Sequence, residues 1–299
     1  MLKAGINRTG ALSRVTVAAL TAALVATGTS AVAADNPGGP GNKSATTKTA
    51  AAKSDISAEY RTLHGVSGGS LYEYIPDNDG GYGSRRFFEG GWENVVDATQ
   101  ADNDGDGLSD DRWVRDNTGL LMYESREAGG LRIGGGWNIY DKVFSPGNLG
   151  GAAGADLLAR DKAGALWLYL GYGDGRVAQR AKVGDGWNIY DHIAGLDDVS
   201  GDAKDDVVAV DTSGVLWLHQ GTGNHEAPFK PRVRVGGGWG VYNDIVGVGD
   251  LDSDGINDLA ARDKAGALWR YSGTGSATAP YAPRVQIGTG GWNTYRLIF

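Results

Sequence analysis

The chain has 299 residues, a formal charge of −8 at neutral pH, 50 glycines and no cysteine. Without thiols, disulfides, thiol catalysis and cysteine-ligated zinc are excluded, and stability must come from packing and bound ions. The acidic balance disfavours nucleic acid and polyanionic glycans as partners unless cations intervene.

Lys3, Arg8 and Arg14 precede an apolar stretch from Val15 to Val25, which is followed by Ala31-Val-Ala33 and Ala34. This is the pattern of a secretory signal peptide over residues 1–33, with small residues at the cleavage site, so a secreted, extracellular protein is expected. The apolar stretch is too short for a bilayer core of roughly 30 Å, so no membrane span is expected. Loss of Lys3, Arg8 and Arg14, with no acid among residues 1–33, takes the formal charge from −8 to −11. Residues 34–58 are poor in apolar bulk and rich in Ala, Gly, Pro, Ser, Thr and Lys, which reads as a flexible linker.

From residue 59 to residue 299 one unit recurs five times. A Gly-Trp anchor appears at Trp92, Trp137, Trp187, Trp239 and Trp292, at successive offsets of 45, 50, 52 and 53 residues. Periods of this size belong to propellers and solenoids. Each anchor leads into a strand-like piece, as at Ile139 to Val143, Ile189 to Ile193, Val241 to Ile245 and Thr294 to Ile298. An acidic loop follows, then a second strand such as Asp156 to Arg160 or Asp258 to Arg262. Next comes an Asp-x-x-Gly turn, at Asp116–Gly119, Asp161–Gly164, Asp211–Gly214 and Asp263–Gly266, which suits a type I hairpin. The third strand is Leu166-Trp-Leu-Tyr and its echoes, and the fourth is Arg180-Ala-Lys-Val, Arg232-Val-Arg-Val or Arg284-Val-Gln-Ile.

Four short strands per unit, apolar on both faces and without a helical period, predict an all-β fold: a five-bladed β-propeller of four-stranded blades. The repeated tryptophans read as packing between blades. The first unit lacks its opening strand, whereas the chain ends on one, Thr294 to Phe299. The C-terminal strand is therefore expected to complete the first blade and leave no open sheet edge.

The acidic loop between the first two strands carries the sharpest chemical signal. Asp102, Asp104, Asp106 and Asp110 occupy loop positions 1, 3, 5 and 9 of the second unit, and Asp250, Asp252, Asp254 and Asp258 those of the fifth. Oxygens crowded in this way suit calcium, with the carbonyls of Leu108 and Ile256 at position 7 as further donors. An EF-hand would need Glu at position 12, where Trp113 and Ala261 stand. The plain alternative is a solvated turn, since Asp, Asn and Gly are turn formers. The fourth unit offers a weaker set, Asp198, Ser200, Asp202 and Asp206, with Ala203 in place of Gly. The third has Asn148, Gly150, Ala152 and Asp156, and is expected to have lost its site.

These loops, followed by strands such as Asp258-Leu-Ala-Ala-Arg-Asp, resemble the FG-GAP or VCBS repeats of integrin α-type propellers and of many secreted actinobacterial proteins. The resemblance covers all five units and implies a β-propeller with calcium between the first two strands of a blade. The literal Phe-Gly-Gly-Ala-Pro string is absent, and integrin-type propellers have seven blades. In size, five such units resemble the tachylectin-like lectins.

No constellation points to an enzyme. Gly65-Val-Ser67-Gly-Gly69 fits a nucleophile string but sits where other units place a hairpin turn. His64, His192, His219 and His225 fall at unrelated repeat positions, and the glutamates form no recognisable catalytic pair. The tips between strands three and four carry Tyr82, Tyr172, Phe229 and Tyr281, whose rings either pack over a neighbouring blade or stack on a ligand such as a sugar. The reading is a non-catalytic calcium-binding module for a glycan or cell-wall polysaccharide. The alternative is an adhesive scaffold of integrin-like type that binds a cell-surface protein.

Overall fold

The computed structural model describes residues 61–299 apart from positions 78, 105, 110, 127 and 128. The assignments of residues 1–33 and 34–58 fall outside these residues.

Five antiparallel four-stranded sheets form the blades of a propeller. Blade one contains β1 (Leu63–Ser67), β2 (Ser70–Tyr74) and β3 (Arg86–Gly90), and blade two contains β4 (Val95–Ala101), β5 (Asp111–Asp116), β6 (Leu121–Ser125) and β7 (Gly129–Gly134). Blade three follows with β8 (Tyr140–Gly147), β9 (Gly154–Asp161), β10 (Leu166–Gly171) and β11 (Ala181–Gly184). Blade four has β12 (Tyr190–Asp197), β13 (Asp206–Asp211), β14 (Leu216–His219) and β15 (Val233–Gly236). Blade five has β16 (Tyr242–Gly249), β17 (Asp258–Asp263), β18 (Leu268–Tyr271) and β19 (Val285–Gly288), and the chain ends in β20 (Leu297–Ile298).

β20 pairs with β1 and gives blade one its fourth strand, as the truncated first unit required. His64 and Phe299 exchange backbone hydrogen bonds of 2.8 and 3.1 Å. The Phe299 ring stacks on Trp92 at 5.6 Å and on His64 at 5.2 Å, so closure is aromatic as well as hydrogen-bonded.

The Gly-Trp anchor and the Asp-x-x-Gly turn prove to be parts of one device. In the turn between β9 and β10, Asp161 Oδ1 accepts the N–H groups of Ala163 and Ala165 at 2.9 and 3.0 Å, and Oδ2 accepts Trp167 Nε1 at 2.9 Å. Gly164 takes φ 87°, a left-handed conformation that favours glycine, and its carbonyl accepts the N–H of Trp187 from the next blade at 2.9 Å. Gly69 and Trp92, Gly119 and Trp137, Gly214 and Trp239, and Gly266 and Trp292 repeat the bond. The turn of one blade thus seats the tryptophan that opens the next. Ser67 lies at such a hairpin turn, between β1 and β2, rather than on a strand-to-helix elbow.

In four of the units the anchor itself is a 3-10 turn, as at Trp137–Ile139 and Trp239–Val241; in three of them the first strand starts one residue later than the apolar pattern suggests, and in the last it starts at Leu297 rather than Thr294. Ile139, Ile189 and Val241 consequently face solvent.

Packing lies between blades. Leu158, Leu166 and Leu168 of blade three meet Trp187, Tyr190 and Val207 of blade four, and every other junction buries an analogous set. Each such side chain contributes about 1.5–3 kcal/mol by leaving water. Arginines reinforce the apolar contact: Arg160 Nη1 donates to the carbonyls of Trp187 and Tyr190 at 3.2 and 2.6 Å, and Arg115, Arg262 and Arg296 do the same at other junctions.

The inner strands of all five blades surround an axial cavity of about 40 Å³, room for little more than a water molecule. Among the described residues no helix is long and apolar enough to cross a membrane.

Candidate functional site

Strand direction places the acidic loops and the tips between strands three and four at one face of the disc. In two of those loops the carboxylates converge. One oxygen from each of Asp102, Asp104 and Asp106 lies within 4.8 Å of the others, and Asp250, Asp252 and Asp254 do the same. Each loop is curled by its first aspartate, which accepts an N–H from the glycine five residues on: Gly107 to Asp102 Oδ2 at 2.9 Å, Gly255 to Asp250 Oδ2 at 2.8 Å. The N–H groups of Leu108 and Ile256 bond back to Asp106 and Asp254, which keeps position 7 inside the curl.

Asp252 supplies a test of cation fit. Its Oδ2 accepts Ser272 Oγ at 2.7 Å and pairs with Arg270 at 3.1 Å, but its Oδ1 is buried without a hydrogen-bond partner. An acceptor in that state, beside two further carboxylates, has the chemistry a hard divalent cation would satisfy.

Position nine is held by backbone donors. Asp258 is fully buried, with Oδ1 accepting Gly273 N at 2.8 Å and Oδ2 accepting Leu251 N at 3.1 Å. Asp156 bonds in the same way to Gly171 and Gly150 at 2.9 and 2.6 Å, although its loop has no other carboxylate, so this bonding does not depend on a cation. Burial pushes Asp258 and Asp206 up to about 7 and Asp156 up to about 6. Asp258 stands outside the three-carboxylate cluster of its own loop.

Asp110 lies outside the described residues. By register Asp111 is the counterpart of Asp258, because Ala101 pairs with Asp111 as Gly249 pairs with Asp258. Loop two is therefore one residue longer than loop five. Reading backwards from the Asp-x-x-Gly turn, rather than forwards from Asp102, would have identified Asp111.

The other two loops are closed by groups of the chain itself. In blade four the Lys230 ammonium sits on Asp202, a built-in positive charge, while Asp198 takes the N–H groups of Gly201, Asp202 and Ala203. In blade three the Asn148 amide closes the loop against Ala152 with bonds of 2.7 and 2.8 Å.

The tip aromatics divide into two kinds. Tyr82, Phe229 and Tyr281 occupy one register position, bridging to Pro76, Gly221 and Gly273, and pack over the junction beneath. Phe229 lies 5.6 Å from both Trp187 and His219, Tyr281 lies 6.1 Å from Tyr271, and Tyr82 lies 6.5 Å from Tyr74. Val177 is their counterpart in blade three, and Tyr172, off register, is 60 % exposed.

The junction of blades one and two departs from the other four. Across the second and third strands, Leu63 pairs with Tyr74, Leu157 with Tyr169, Val207 with His219 and Leu259 with Tyr271. In blade two the same pair is Arg112 and Glu124. Val95 stands three residues after Trp92, where the other anchors are followed by Tyr140, Tyr190, Tyr242 and Tyr295. The tip of blade two is cut short, with Ser125 pairing directly with Gly129 and no aromatic residue between them.

A cleft of about 510 Å³ opens at this junction, walled by His64, Glu73, Arg86 and Phe88 of blade one and by Arg112 and Glu124 of blade two. Its volume falls in the roughly 300–1,000 Å³ range of small-ligand sites. The sequence reading did not find it. Its only signal there is a break in the repeat, a charged pair where aliphatic and aromatic residues recur.

No protein-family model matches the chain, and no curated protein sequence matches it. Solved structures with some likeness include the BP39L lectin from Burkholderia pseudomallei, at 13 % identity, TM-score 0.47, and coverage of 78 % of this chain and 72 % of that one. Another is AofleA from Arthrobotrys oligospora, at 8 % identity, TM-score 0.42, and coverage of 80 % of this chain and 89 % of that one. Likeness at this level says nothing about the ligand of this chain.

Proposed function

We propose that the chain is a secreted, calcium-bearing, non-catalytic binding module whose ligand is a glycan. The observation that carries the glycan reading is the junction of blades one and two. There a polar cleft with an aromatic wall replaces the packed aromatic cluster of the other junctions. Sugar hydroxyls both donate and accept hydrogen bonds, so they suit a wall of alternating guanidinium and carboxylate groups. The C–H face of a sugar ring suits Phe88.

Calcium is supported by the two three-carboxylate loops and by the partnerless Asp252 oxygen. Secretion is supported by the signal-like N-terminus alone. The test is a glycan array together with polysaccharide pull-down, on residues 34–299 with calcium present. Retention of defined glycans is expected, and a blank on both would sink the glycan reading.

A protein-binding scaffold is the second reading. Ile139, Ile189 and Val241 expose an apolar crescent over three adjacent blades, at the end of the first strands remote from the cleft. Cross-linking through that face to one specific cell-surface protein would favour it.

A further inference from the structure

We infer that the cleft between blades one and two selects an uncharged sugar unit, with Arg112 and Glu124 as the pair that reads its hydroxyls. This inference rests on the glycan reading and narrows it.

The cleft wall holds three guanidinium groups, Arg86, Arg112 and Arg126, and three carboxylates, Glu73, Asp111 and Glu124. Arg112 Nε lies 2.7 Å from Glu124, its Nη2 lies 2.5 Å from Glu89, and Arg86 lies 3.5 Å from Glu73. Burial, with the Arg112 charge beside it, holds His64 down near 3, so this imidazole adds no positive charge. A uronate, sialate or sulfate that took Arg112 would have to displace Glu124 or Glu89 and leave it without its partner in a partly desolvated wall, which is unfavourable. A hydroxyl avoids that cost. It can accept from a guanidinium N–H and donate to the carboxylate beside it while the ion pair stays intact.

Arg112 is also fixed before any ligand arrives. Its side chain is 12 % exposed and its guanidinium lies 5.2 Å from the ring centres of both Phe88 and Trp92. The Trp92 indole in turn donates to Glu89 at 3.0 Å. A donor locked by two carboxylates and two rings loses little freedom on binding, which favours affinity. Phe88, 45 % exposed, leaves an apolar surface next to it for one face of a ring.

The repeat supplies the decisive variant. Arg112→Leu with Glu124→Tyr installs at this junction the pair that blades three and five already carry, as Leu157 with Tyr169 and Leu259 with Tyr271. The experiment puts the chain, its Arg112→Leu/Glu124→Tyr variant and Glu124→Gln, all with calcium, over neutral probes (mannan, galactan, β-glucan and chitin oligosaccharides) and acidic probes (polygalacturonate, sialyllactose and heparin). Neutral probes should bind. The double variant should lose at least about tenfold in affinity while keeping its melting temperature. Glu124→Gln, with one negative charge fewer, should shift preference toward the acidic probes. Preferential binding of acidic probes by the unaltered chain, or full retention of neutral probes by the double variant, would overturn the inference and leave the glycan reading standing. No binding of either class would end both. If the double variant fails to fold, Glu124→Gln decides alone, and an unshifted preference in it counts against the pair.

Discussion

Arg112 Nε and Glu124 Oε2 lie 2.7 Å apart across β5 and β6, where the other four blades set an aliphatic residue against an aromatic one. In those four pairs the aliphatic residue is fully buried and the aromatic one is buried or half-buried between blades. The fifth gives up that burial and leaves a cleft. A local departure from an otherwise consistent pattern is what a functional site costs a fold.

That pair should behave as a unit. Arg112→Leu alone strands Glu89 and Glu124, both 41 % exposed, so a destabilisation of about 1–2 kcal/mol is expected, short of the roughly 3–5 for a fully buried pair. Adding Glu124→Tyr should recover the loss, because the new ring packs on the new leucine. A double-mutant cycle in urea reads the coupling. Additive effects would mean the two residues act independently.

Much of this fold is legible in the sequence because the same physical demand recurs five times. Trp187 must be seated by Gly164 and Trp239 by Gly214, so anchor and turn keep their residue types. The cleft is not legible in that way. Arg112 and Glu124 are twelve residues apart and individually ordinary, and only strand register sets them opposite each other. Asp111 escaped for a related reason: an insertion inside a loop of similar aspartates shifts the count without changing the composition. Tyr172 looked like a fourth tip aromatic, although Val177 holds that register position, because tip length varies between blades.

Closure depends on the last residue. Phe299→Ala removes a ring stacked on both Trp92 and His64 and should cost about 3–5 kcal/mol, the usual range for a buried phenylalanine. For a domain of this size that lowers the melting temperature by about 2–4 °C per kcal/mol. Phe87→Ala, at a ring 64 % exposed, should stay within about 0.5 kcal/mol of the parent. Equal melts for the two variants would show that the aromatic lock does not hold the ring.

Ala203 takes φ 59° at the loop position where Gly107 and Gly255 take 85° and 87°. Left-handed backbone costs a side-chain-bearing residue roughly 1–2 kcal/mol. Ala203→Gly should therefore stabilise by about 1 kcal/mol, less the added freedom of glycine in the unfolded chain. Thermal melting measures it, and a lower melting temperature would show that the strain is absent.

Chelation should lower the melting temperature and calcium should restore it, by about 2.7 kcal/mol of stability at a calcium concentration one hundred times the dissociation constant. The shift should shrink in Asp252→Asn, which removes the carboxylate with the partnerless oxygen. It should survive Asp202→Asn, where Lys230 already supplies the positive charge. An identical shift in Asp252→Asn would place the calcium elsewhere.

In the metal-free protein the raised carboxyl groups should add stability as pH falls from about 7 to about 5, while buried His64 and His219, held down to about 3 and about 4 by desolvation, oppose them over the same range. Burial raises the folded-state value of Asp156 to about 6, above the ordinary carboxylate value of about 3.9. Between those values the folded state binds more protons than the unfolded one, so stability declines as pH rises through the window. Asp206, raised to about 7 by burial, acts with the same sign over a slightly higher range. The exposed turn aspartates act oppositely. Hydrogen bonds to Asp116, Asp161 and Asp263 lower their values, and the stability they contribute is lost only as pH falls below about 4. Asp156→Asn isolates the effect, since its loop holds no other carboxylate. An amide cannot accept from both Gly150 and Gly171 with its two terminal atoms, so the variant should lose about 1–3 kcal/mol at pH 5. Relative to the parent, the variant should lose more stability at pH 5 than at pH 7. Urea midpoints across that range measure both quantities, and an unchanged slope would remove Asp156 as the titrating group.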